Sequence, residues 1–76
     1  MTLGDLRIGQ TAQIVDVEGN DGIAIRIMEM GLTEGEQIQL IGFAPMGDPI
    51  EFEVRGYRLS LRLVEAKRVI VTPIAN

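Results

Sequence analysis

Residues 50 to 63 constrain the fold most. Ile50, Phe52 and Val54 alternate with Glu51, Glu53 and Arg55, and beyond Gly56 the residues Tyr57, Leu59, Leu61 and Leu63 alternate with Arg58, Ser60 and Arg62. A period of two over this length is the pattern of strands with one buried face. With Arg55-Gly56 as a two-residue turn, Val54 falls opposite Tyr57, Phe52 opposite Leu59 and Ile50 opposite Leu61. That register collects the apolar side chains on one side and sets Glu53 across from Arg58, a cross-strand charge pair worth ~0.2–1 kcal/mol. A slip of one residue mixes the two faces. The strain falls on Arg55, which a type I′ turn holds at positive φ, a region few non-glycine residues visit.

The remaining elements are short and punctuated by nine glycines. Leu3, Leu6 and Ile8 predict a helical turn that packs and breaks at Gly9. Residues 10 to 18 suit a strand, but Ala12 and Ile14 share one parity while Val15 and Val17 share the other, so a bulge near Val15-Asp16 is expected. Asn20 or Asp21 caps a helix over residues 22 to 30, and Gly31 ends it as a left-handed residue followed by apolar Leu32. On that helix Ile23, Ile27 and Met30 form one stripe, with Ala24, Ile25 and Met28 spread over a second flank. A turn at 33 to 36 leads to a strand over 37 to 43, and residues 44 to 49 form a loop stiffened by Pro45 and Pro49. After the hairpin, Val64 to Lys67 make a tight turn into a last strand, Arg68 to Thr72, ended by Pro73. Five short strands and one short α-helix point to a mainly β fold, a small closed or nearly closed five-stranded barrel, because an open sheet of this size leaves unprotected edges.

A chain of 76 residues reads as a single domain spanning 1–76, and at this size only about 60% of the unfolded chain's surface is buried. The longest apolar runs are triplets such as Ile23-Ala24-Ile25, so membrane insertion is not expected. Met1 to Asp5 lack a basic and an apolar signal region, and without cysteine there is no disulfide framework; a cytoplasmic location fits. Charge is unevenly placed. Residues 1 to 54 hold Arg7 and Arg26 against ten acidic side chains, whereas residues 55 to 76 hold five basic ones and only Glu65. Either the basic strand neutralises its acidic neighbour, or Arg58, Arg62, Lys67 and Arg68 form a patch for an acidic partner.

Catalysis is poorly served by this inventory. Histidine and cysteine are absent, and the single serine, Ser60, lies between Arg58 and Arg62 with no base in prospect. Eleven carboxylates suit hard cations, yet no spacing gathers three or four, so no metal or other cofactor is expected. The acidic balance and three aromatic residues also argue against nucleic-acid binding.

Arg26-Ile27-Met28-Glu29-Met30-Gly31-Leu32-Thr33-Glu34-Gly35 resembles the R-L-x-x-[LM]-G-[LIF]-x-x-G motif of the FeoA family, with Ile27 where leucine is usual. Gly47-Asp48-Pro49-Ile50 running through Gly56 to Arg62 is similar to that family's G-D-P-I hairpin, and Leu3, Leu6 and Gly9 at the start and Glu65-Ala66, Val69 and Val71 at the end also fit. The resemblance implies an SH3-like barrel and a part in bacterial ferrous iron uptake, as a small cytosolic accessory of the membrane transporter FeoB with its GTP-binding domain. It also implies a rival reading, since the same barrel ends iron-dependent repressors: a regulatory domain that binds a transition metal. A nucleic-acid-binding small barrel is the third and least favoured reading.

The residues themselves support a non-enzymatic interaction module. Ile25 and Met28 on the second helix flank and the loop Pro45-Met46-Gly47-Asp48-Pro49 are the expected contacts, with Arg58 and Arg62 contributing charge. On this reading the apolar flank and the loop matter more than the basic patch. The competing expectation is that Met1, Leu3 and Leu6 cover Ile25 and Met28, and that the prolines only end strands. Self-association is left open.

Overall fold

The computed structural model describes residues 1–74. A 3₁₀ turn at Leu3–Asp5 is followed by β1 (Thr11–Val17), α1 (Gly22–Glu29), β2 (Gln37–Phe43), β3 (Ile50–Val54), β4 (Tyr57–Leu61), α2 (Leu63–Ala66) and β5 (Val69–Ile74). All strands join one antiparallel sheet in the order β4-β3-β2-β1-β5, so β4 and β5 are its edges.

The hairpin takes the register that side-chain segregation demands: Val54 faces Tyr57, Glu53 Arg58, Phe52 Leu59 and Ile50 Leu61. Arg55 and Gly56 have φ of 49° and 83°, the left-handed pair of a type I′ turn, so pairing on both sides outweighs the strain at Arg55. β1 shifts register against β5 between Ile14 and Asp16, which lets both Ile14 and Val17 reach the core despite their opposite parity. A second bulge lies in β2 between Leu40 and Gly42, where the apolar parity changes from Ile38 and Leu40 to Ile41 and Phe43.

The core is built from Phe52, Ile50, Val54 and Leu61 of the hairpin, Ile14, Ile38, Leu40 and Val69 of the other strands, and Leu3, Ile27 and Leu32. Several elements depart from the sequence reading. Ile8 is exposed, because the chain turns at Gly9 before it can point inward. In α1 the buried pair is Ala24 and Ile27, not Ile23 with Ile27: a small side chain brings the helix close to the sheet and rotates Ile23 outward. The tight turn after the hairpin is a single-turn helix, α2. The last strand continues through Pro73, which pairs with Ala12; β5 is an edge, so the missing amide costs no ladder bond. Tyr57 lies at the end of the inner face and stays partly exposed, its hydroxyl donating to the Met30 carbonyl. Among the described residues no helix is long and apolar enough to cross a membrane.

Candidate protein-interaction groove

α1 begins where Asp21 accepts a hydrogen bond from the Ala24 amide at 3.2 Å, and the same carboxylate pairs with Arg68 at 2.6 Å. The guanidinium, and next the Ala24 amide, hold the Asp21 carboxyl below its ordinary value of 3.8, while Asp21 raises the pKa of Arg68. The first turn of the helix is thereby tied to the start of β5. At the other end Gly31, with φ 96°, stops α1 and Leu32 turns into the core.

Between α1 and the β4–α2 connection lies a groove. Its base is Glu65, 6% exposed, whose carboxylate accepts the Arg62 amide at 2.9 Å and forms an ion pair with Arg26 of α1. Two adjoining hollows of about 440 and 450 Å³ share Arg26, Arg62 and Glu65. One is completed by Gly22, Ile23 and Val64, the other by Met30, Pro49 and Ser60. Val64 is 66% exposed and Ile23 41%, so one side of the groove presents aliphatic surface beside a guanidinium.

The expected contact residues are divided by this geometry. Arg62 lines the groove, and Pro49 brings the end of the proline loop to its rim. Asp48 of that loop is occupied structurally, its carboxylate accepting the Leu63 amide at 2.9 Å. Pro45 is exposed and Met46 at the loop tip is 92% exposed. Ile25 and Met28 are 48% and 40% exposed, so Met1, Leu3 and Leu6 do not cover them; neither lines the groove, since both sit on the other flank of α1. Arg58 lies 3.5 Å from Glu51 and 3.8 Å from Glu53, and Arg68 is taken by Asp21. Of the expected basic patch, Arg62 and Lys67 lack an acidic partner among the described residues, so half of it is internal neutralisation.

Ile23, Arg26, Val64 and Glu65 were not singled out as site residues by the sequence. The available signal was Val64, an apolar residue beside charged ones at a turn. The ion pair between Arg26 and Glu65 spans too much sequence to be read from spacing. No group of three or more Asp and Glu side chains converges on a common point among the described residues.

The family model described as the FeoA domain matches residues 1–73. A curated relative from Porphyromonas gingivalis, an Fe(2+) transport protein A/Fe(2+) transporter FeoB fusion protein, is 37% identical over all 76 residues; the chain spans 9% of that protein's length. The solution structure of a FeoA-like protein from Clostridium acetobutylicum superposes with a TM-score of 0.92 at 36% identity, covering 100% of this chain and 88% of that one. The crystal structure of Stenotrophomonas maltophilia FeoA complexed with zinc, described as a prokaryotic SH3 domain protein, gives 0.83 at 37% identity, covering 95% and 89%. The fold is accordingly SH3-like.

Proposed function

The chain belongs to the FeoA family, which is linked to ferrous iron transport, and from that premise we propose that it is a cytoplasmic, non-catalytic accessory that docks on the GTP-binding region of a FeoB-type transporter. The observation that carries this reading is the Porphyromonas gingivalis relative, in which a FeoA unit and a FeoB transporter share one polypeptide. Fusion holds two units at high effective concentration, an arrangement that rewards contact between them. The groove supports it from the physical side, because exposed aliphatic side chains around the Arg62 guanidinium, which has no acidic partner among the described residues, suit a protein surface better than a small polar substrate.

Within this reading Arg62, Ile23 and Val64 form the centre of the contact. Ile25, Met28, Pro45, Met46, Asp48 and Arg58 flank it, the methionines offering adaptable apolar area. The transporter's soluble GTP-binding domain, titrated with this protein in a calorimeter, should show saturable binding with micromolar affinity or better. Absence of heat together with absence of co-elution on a sizing column overturns the reading.

A further inference from the structure

The two edges of the sheet are finished differently. Along β5, Thr2 bridges Ile70, the Val71 amide donates to the Met1 carbonyl at 2.9 Å, and Pro73 has no amide to offer. Covering and proline are both devices that keep an edge from pairing with another chain. β4 has neither: among the described residues it pairs with β3 alone. The two-residue turn makes Val54 and Tyr57 the hydrogen-bonded closing pair, so antiparallel alternation points the amides and carbonyls of Arg58 and Ser60 away from β3. Both residues are exposed, and Ser60 borders the 450 Å³ hollow, which leaves room beside the strand.

We propose that the β4 edge receives an extended segment of the partner as an added strand, and that this segment carries carboxylates at alternate positions that meet Arg58 and Arg62. Addition of a strand to an open edge draws its affinity from main-chain hydrogen bonds and its selectivity from alternate side chains. Period-two alternation places Arg58 and Ser60 on one face of β4 and carries on to Arg62 just past its end, so acidic residues four apart in an alternating run on the incoming strand face both guanidiniums. Among the described residues Arg62 has no acidic partner, and the side chain of Arg58 is 59% exposed despite Glu51 and Glu53. The same charges disfavour a second copy of this chain. Antiparallel registers centred on Arg58 or on Ser60 would set Arg58 against Arg58 or against Arg62. This inference rests on the docking reading above and specifies the chemistry of the partner segment.

Two probes separate the inference from the reading on which it rests. A synthetic peptide alternating glutamate with valine should slow solvent exchange of the Arg58 and Ser60 amides at least tenfold by NMR, while a lysine–valine peptide of the same length should not. The GTP-binding domain of the transporter should protect the same two amides. Ser60→Pro, which removes an outward amide, should abolish binding of the acidic peptide while the circular dichroism spectrum stays native. Binding of the domain without protection of Arg58 and Ser60 overturns the edge and leaves the docking reading standing. Protection by the acidic peptide with no binding of the domain does the reverse. Equal protection by both peptides, or protection that rises with protein concentration alone, also overturns the proposal.

Discussion

The Tyr57 hydroxyl donates a 2.5 Å hydrogen bond to the Met30 carbonyl, which fastens the C-terminal end of α1 to the first residue of β4. The bond passes over Gly31, where a Cβ would lie 2.7 Å from the Tyr57 oxygen and 2.7 Å from an Arg55 nitrogen. Gly31 is therefore required for its φ of 96°, and a side chain there would also push aside the ends of Arg55 and Tyr57.

Gly31→Ala should cost about 1–3 kcal/mol in chemical denaturation, combining left-handed strain with crowding. Tyr57→Phe should cost about 0.5–1.5 kcal/mol by loss of the hydrogen bond. In the double variant the penalty of the alanine should shrink, because the phenolic oxygen it meets is gone. Strict additivity would show that backbone strain alone accounts for the glycine.

Arg26→Ala should destabilise by about 1–3 kcal/mol, because it leaves the buried Glu65 carboxylate without its ion-pair partner. Glu65→Gln should restore part of the loss in the Arg26→Ala background, since a neutral amide can still accept the Arg62 amide. Thermal melts of the four proteins check this.

Asp21→Asn keeps an acceptor at the helix cap and removes the charge that pairs with Arg68. Because folding lowers the Asp21 pKa below 3.8, the contribution of its charge is fully present above that pH and disappears as pH falls through the lower folded value. The native protein should melt higher than the variant near neutral pH, and the two midpoints should converge well below 3.8. Added salt should narrow the gap, as the pair is exposed.

Arg55→Asn should stabilise the hairpin by about 0.5 kcal/mol, since Asn-Gly is the preferred type I′ pair and the exposed 3.5 Å contact of Arg55 with Glu36 is a weak one to lose. Urea denaturation decides the sign.

Arg62→Glu should weaken binding to the transporter's GTP-binding domain at least tenfold, whereas Met28→Asp, on the far flank of α1, should weaken it less than threefold. Calorimetry with both variants ranks the two surfaces. The opposite ranking would move the contact to Ile25 and Met28.

What the sequence made legible follows from the range of the interactions involved. The Glu53–Arg58 register, the Asp21 cap, the Gly31 stop and the β1 bulge are each specified by side chains within a few positions of one another. The rotation of α1 that buries Ala24 instead of Ile23 is set by how closely the helix approaches β1, which period alone does not encode. Pro73 looks like a terminator until β5 is known to be an edge. The groove was least legible, because its base joins Arg26 to Glu65 across three intervening strands.

The strand order also sets a timetable. β1 is made early, yet its pairing with β5 joins Thr11 to Ile74 and Val17 to Val69, 63 and 52 residues apart in a chain of 76. During synthesis β1 can find β2 and β2 can find β3, but the other side of β1 stays unpaired until residue 74 has left the ribosome. Long-range closure of this kind slows folding, since loop entropy must be lost before any contact rewards it. The β3–β4 hairpin, whose partners are the nearest in sequence, ends at Leu61 and can pair as soon as it emerges, without waiting for the strand at Val69–Ile74.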